Sequence, residues 1–76
     1  MNPYQYSVIL FHSTNHALRA EKVLTKAGIA SKMIPVPRQL SSDCGVCLRI
    51  AQSSREAACR ALEDAGVEIE SACDLN

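Results

Sequence analysis

Two cysteines, Cys44 and Cys47, stand two residues apart in a segment that reads Ser-Ser-Asp-Cys-Gly-Val-Cys. A pair with this spacing can cycle between a dithiol and a disulfide, or it can supply two thiolate ligands to a soft metal such as zinc or copper. We predict that both residues are catalytic, in the sense that their sulfur atoms carry the chemistry. The other two cysteines, Cys59 and Cys73, are predicted to be incidental.

The composition is that of a small globular domain, with 76 residues, 47% of them hydrophobic, and a formal net charge of zero. The chain has no run of basic residues and few aromatic ones, so nucleic-acid binding is not expected. No stretch approaches the ~20 apolar residues of a membrane span, and residues 1–5 do not resemble a signal peptide. We therefore expect a cytoplasmic protein, whose cysteines would be catalytic, metal-binding or buried rather than joined in structural disulfides.

Hydrophobic patterning predicts four strands and two helices. The strands are expected at residues 5–12, 31–37, 46–51 and 67–71. The first helix follows Ser13 and Thr14 and ends near Ala27, while the second has Ser53 as its N-cap and ends near Ala65. Prolines in the second strand would remove ladder hydrogen bonds, which predicts that this strand lies at a sheet edge.

The two halves of the chain share a short repeat, because Leu-Thr-Lys-Ala-Gly-Ile at 24–29 matches Leu-Glu-Asp-Ala-Gly-Val at 62–67. Each half therefore reads as strand, helix, glycine, strand. We predict a single α+β domain over residues 1–76 with a ferredoxin-like βαββαβ sandwich. Its four-stranded antiparallel sheet would have the order 4-1-3-2, with both helices on one face.

This topology places the loops after the first and second strands at one end of the sheet. Ser13 and Thr14 would lie there beside the loop 38–45 and the amino-terminal end of the first helix. A helix N-terminus favours a nearby anion and lowers the pKa of a cysteine placed against it. The geometry thus predicts that Cys44 can act as a thiolate, with Ser13 and Thr14 among the substrate-binding residues.

The segment Pro-Arg-Gln-Leu-Ser-Ser-Asp-Cys-Gly at 37–45, set between a proline-bearing strand and a Leu-Arg-Ile strand, resembles the small bacterial sulfur/selenium (Se/S) carrier-like proteins. The opening Ser-Val-Ile-Leu-Phe run is similar as well, and the resemblance extends over about residues 6–74. It implies a carrier that holds a persulfide or selenosulfide on one cysteine, which corresponds to Cys44. The supporting, substrate-binding positions correspond to Arg38, Ser41, Ser42 and Gly45.

Cys47 departs from this family pattern, and it leaves alternatives to the carrier function open. Cys44 and Cys47 would form a disulfide in a thiol redox module, whereas in a soft-metal binding module they would ligate zinc or copper. A fourth interpretation is a pure interaction domain that uses the edge strand. We assign no metal ligand and no cofactor, since no four-ligand set is evident.

A carrier is favoured over a complete enzyme, because no set of nucleophile, base and acid can be placed. Its expected partners are a sulfur or selenium donor protein and an acceptor protein, and a homodimer through the outer sheet face remains open. Gly45 is expected either to adopt a positive φ or to let a partner approach the sulfur.

Overall fold

A computed structural model describes residues 5–40 and 45–75 of the chain. Within them the elements follow the predicted order of strand, helix, strand, strand, helix, strand. The strands are β1 (Tyr6–Leu10), β2 (Lys32–Pro35), β3 (Val46–Ala51) and β4 (Ser71–Leu75). The helices are α1 (Thr14–Lys26) and α2 (Arg55–Asp64), with a short 3-10 turn (Gln52–Ser54) before α2.

The four strands form one antiparallel sheet in the order β2-β3-β1-β4. This is the predicted order 4-1-3-2 read from the other edge. β1 pairs with β3 on one side and β4 on the other, so the most apolar strand is central. The edge position of β2 is also confirmed, and Pro35 is its last residue, where a missing N–H costs the ladder little.

Both helices pack on one face of the sheet. Ile9 of β1, Phe11 just after it, and Leu48 and Ile50 of β3 belong to this layer, and all are at most 1% exposed. The helices meet them with small and branched apolar residues, namely Ala17, Ala20, Leu24, Ala58 and Leu62. Because alanine keeps the helix axes close to the sheet, a chain with few aromatic residues still fills its core.

The opposite face of the sheet carries no helix, yet it has a second buried cluster. Val8, Leu10 and Cys47 are at most 3% exposed there. The chain that follows β2 packs against them through Val36 and Leu40, which are partly buried. The beginning of the 36–45 loop is thus part of the hydrophobic packing.

Both helices end in the same hydrogen-bonded motif, which explains the sequence repeat. In α1, Ile29 N–H donates to the Leu24 carbonyl at 2.9 Å and Gly28 N–H to the Thr25 carbonyl at 3.1 Å. In α2 the equivalent bonds run from Val67 to Leu62 and from Gly66 to Glu63. These are the two bonds of a Schellman cap, in which the glycine adopts positive φ.

The prediction for the last strand was wrong, since β4 spans Ser71–Leu75 rather than residues 67–71. Val67 belongs to the cap of α2 and is 5% exposed, while Ile69 packs against the helix-side core. β4 begins at the residue after Glu70, whose N–H donates to the Leu10 carbonyl at 2.7 Å. The alternating apolar residues therefore belong to a connection that packs on the core, not to a strand of the sheet.

The predicted start of the second helix also needs correction. Ser53 lies within the 3-10 turn, and the N-cap of α2 is Ser54, whose side chain makes no capping hydrogen bond. Gln52 N–H donates instead to the Gln5 carbonyl at 3.2 Å. This bond ties the residue after β3 to the residue before β1, and the expected capping box is not formed.

Gly66 provides a direct test of the Schellman caps. Its φ is +73°, and a Cβ added there would meet nothing within 4 Å. Gly66→Ala should lower the free energy of unfolding by about 1–2 kcal/mol, because an alanine is strained in the left-handed backbone conformation even where its Cβ has space. Gly45→Ala is the control, since Gly45 has equal space but no positive φ. Urea unfolding that shows equal losses for both variants would contradict the assignment.

Candidate functional site

The loop after β2 is held at its base by the sheet. Pro35 and Val46 form the last pair of the β2–β3 ladder, and Val36 N–H then donates to the Gly45 carbonyl at 3.2 Å. A tight turn follows, in which Leu40 N–H donates to the Pro37 carbonyl at 3.0 Å. Together with the packing of Leu40, these bonds fix the positions of the residues on either side of the segment 41–44.

Three of the predicted site residues, Cys44, Ser41 and Ser42, lie outside the described residues. Arg38 is exposed on the loop. Gly45 is also exposed, but its φ is not positive, so the expectation of a left-handed turn there was wrong. A Cβ at Gly45 would meet nothing within 4 Å. The other expectation for Gly45, access for a partner, stays a prediction.

Cys47 lies in the second residue position of β3, opposite Leu10 of β1. It is 0% exposed and packs with Val8 and Leu10 on the helix-free face. Its Sγ is 4.0 Å from the Pro35 carbonyl oxygen, a long thiol–carbonyl contact. A thiolate in such surroundings would lose its hydration, so this sulfur is poorly placed to attack a partner from solution.

The end of β1 reaches the same end of the sheet as the loop, as the topology predicted. Ser13 is the N-cap of α1, and its Oγ accepts from His16 N–H at 3.3 Å. The same Oγ is 2.9 Å from His16 Nδ1. The hydroxyl of Ser13 therefore stabilises the helix start, while Thr14, the first residue of α1, is exposed.

The other candidate ligands are dispersed. In the ranges 5–40 and 45–75, no group of three His, Cys, Asp or Glu side chains is arranged to hold a metal ion. Cys59 on α2 and Cys73 on β4 are both partly exposed free cysteines. No helix in the described part of the chain is long and apolar enough to cross a membrane.

Sequence reasoning missed a polar cluster at the opposite end of the sheet. Ser7 is 0% exposed, and its hydroxyl donates to Asp74 Oδ1 at 2.6 Å. Arg55 reaches the same oxygen through Nη1 at 2.8 Å and donates from Nη2 to the Ala72 carbonyl at 3.2 Å. A serine inside an apolar strand was the available signal, but its partner could be identified only once β4 was placed at 71–75.

With the loop and the sheet described, the class of protein can be stated. The chain belongs to the family described as "Putative Se/S carrier protein-like", whose profile matches residues 5–73. The chain is also 37% identical over 41 residues to "Uncharacterized protein YtiA" of Escherichia coli (strain K12). That match covers 54% of this chain and 48% of the relative, so the chain spans about half of that protein's length. No solved structure matches the chain.

The burial of Cys47 predicts an order of thiol reactivity. A small alkylating reagent should modify Cys59 and Cys73 in the native protein and leave Cys47 protected until the protein unfolds, because reagents must reach the sulfur. Peptide mass mapping after timed alkylation with and without urea measures this. Native alkylation of Cys47 at the rate of Cys73 would contradict the burial.

The Asp74 cluster predicts a specific loss of stability in acid. Hydrogen bonds from Ser7 and Gln52, aided by the Arg55 charge, hold the pKa of Asp74 below its ordinary value of 3.8. A lowered folded-state pKa adds stability above 3.8 that disappears as the pH falls through the folded-state value. The free energy of unfolding of the wild type, measured in urea, should therefore fall more steeply below about pH 4 than that of Asp74→Asn. Glu68→Gln, at an exposed position, should keep the wild-type slope.

Proposed function

We propose that the protein is a sulfur or selenium carrier that holds the transferred atom on Cys44 and passes it to a partner protein. Family membership across residues 5–73 supports the carrier function. The observation that carries the assignment to Cys44 is the full burial of Cys47. A carrier sulfur must meet a donor and an acceptor, and the buried member of the pair is badly placed to do so.

The proposed transfer needs no external oxidant. The Cys44 thiolate attacks the outer sulfur of a donor persulfide, a new S–S bond forms, and the donor cysteine leaves as a thiolate. In the second step an acceptor thiolate attacks the same outer sulfur, and Cys44 leaves as a thiolate. A selenium atom in the outer position follows the same course.

The loop gives this transfer a defined platform. Its base is closed by the Val36–Gly45 hydrogen bond, and Leu40 anchors its descending side. The anchored residues of such a carrier lose little conformational entropy when it docks on a partner. Arg38, Ser41, Ser42 and Gly45 take the supporting roles that the family resemblance implies.

Three broader assignments belong to the same proposal. The sheet order and the helices on one face are those of a ferredoxin-like fold, which we propose for the chain. A reducing, cytoplasmic setting would keep Cys44 as a thiol between transfers. The partners are a donor protein that forms persulfides and an acceptor protein with a nucleophilic cysteine.

Intact mass spectrometry after incubation with a cysteine desulfurase and cysteine tests the proposal. The wild type should gain one sulfur atom, and Cys44→Ser should gain none. The double variant Cys59→Ser/Cys73→Ser removes the two partly exposed cysteines and should still gain the atom. Absence of an adduct on the wild type, or its persistence in Cys44→Ser, would refute the carrier function.

The same experiment separates the carrier from the thiol redox module. If Cys47 attacks the inner sulfur of a Cys44 persulfide, a Cys44–Cys47 disulfide forms and hydrosulfide leaves. The wild type would then lose two hydrogen atoms and release sulfide, while Cys47→Ala would accumulate the adduct. A carrier instead shows the adduct in both proteins, with no sulfide released before an acceptor is added.

A further inference from the structure

Two basic residues are cross-strand neighbours on the helix-free face of the sheet. Lys32 of β2 and Arg49 of β3 are directly opposite each other in the antiparallel register. They share a face with Cys47, because strand side chains alternate and Arg49 lies two residues further along β3. Like charges in this cross-strand arrangement repel each other and destabilise the sheet.

No acidic side chain compensates this pair within residues 5–40 and 45–75. The ion pairs formed there join Arg55 to Asp74 and Arg60 to Glu56, and neither involves Lys32 or Arg49. Arg49 is held instead by an aromatic ring, since its guanidinium carbon lies 4.3 Å from the centroid of Tyr6. A stacked guanidinium keeps its N–H edge available for a planar, bidentate contact with an oxyanion.

A cleft adjoins the two cations. The β2–β3 ladder begins at Lys32 and Arg49, and beyond this pair the chains at 30–31 and 50–51 separate. The space between them is about 300 Å³, and Ser31 and Ser54 also line it. The Ser54 side chain makes no capping hydrogen bond at the start of α2.

We propose that this cleft binds the phosphate group of a small molecule, between Lys32 and Arg49. A doubly charged oxyanion removes the repulsion between the two cations and accepts hydrogen bonds from both, with serine hydroxyls as further donors. The volume is at the lower end of small-molecule sites, about 300–1,000 Å³, which suits one phosphate and a small attached group.

The phosphate site is distinct from the sulfur-carrying loop. The pair Lys32–Arg49 is separated by three ladder positions from Pro35–Val46, where the loop begins, or about 10 Å along the strands. The proposal therefore stands independently of the carrier function, and each can fail alone.

Titration with inorganic phosphate, followed by amide NMR shifts at constant ionic strength, tests the site. Shifts should saturate and concentrate at residues 30–32, 49–51 and 54. Arg49→Gln and Lys32→Gln should each weaken the affinity by about tenfold or more, because each removes a charge-assisted contact. Arg60→Gln, which removes an exposed cation on α2, should leave the affinity unchanged.

Three results would overturn the proposal. The first is an absence of saturable shifts with phosphate, and the second is an equal weakening in Arg60→Gln, which would indicate general screening of charge. The third is binding of an acidic peptide at these residues without binding of phosphate, which would make the cleft a protein contact. The amide NMR spectrum of Arg49→Gln without phosphate, compared with that of the wild type, checks that the variant is folded.

Discussion

The structure depends on the burial of one strand on both of its faces. Val8, Ile9, Leu10 and Phe11 of the β1 region are all at most 3% exposed, although the two α-helices of the described residues both lie on one side. Ile9 and Phe11 are covered by those helices. Val8 and Leu10 must be covered by something else, and the chain after β2 contributes Val36 and Leu40 to that cover. Burial of the central strand thus couples the fold to the path of the loop.

This coupling determines the environment of Cys47, the second cysteine of the Cys-x-x-Cys segment. Cys47 belongs to β3, where alternation directs it to the helix-free face beside Val8 and Leu10. Its sulfur fills space under the loop, as any small apolar residue would. The Cys-x-x-Cys spacing suggests an equivalent redox pair, but the register of β3 places the sulfur of Cys47 in the core.

Local signals predicted the parts of the fold that depend on local physics. The apolar run of β1, the prolines of the edge strand and the glycines of both helix ends each have a cause within a few residues. Leu24 and Gly28, for example, occupy the two key positions of a Schellman cap, and Leu62 and Gly66 repeat them. Agreement among such signals was enough to give the strand order.

The errors arose where tertiary contacts decide the outcome. Val67 and Ile69 alternate as a strand would, but the core beneath α2 buries them. Ser53 fits a capping box, yet it lies inside a 3-10 turn, and Ser54 is the N-cap of α2. The candidate site shows the same limit. The predicted connection between the second and third strands agrees with the bounds of β2 and β3, whereas the burial of Cys47 depends on what packs over the second face of the sheet.

β3 is the element that joins the features of the helix-free face. Because its side chains alternate, Cys47 and Arg49 lie on the same face, one in an apolar environment and the other over the Tyr6 ring. The face therefore changes from apolar to cationic within two residues of one strand. Val8 lies opposite Arg49 and Leu10 opposite Cys47, so both neighbours on β1 are apolar and the change occurs on β3. An apolar end that packs with Val36 and Leu40 and an end that carries Lys32 and Arg49 are consequences of a single strand register.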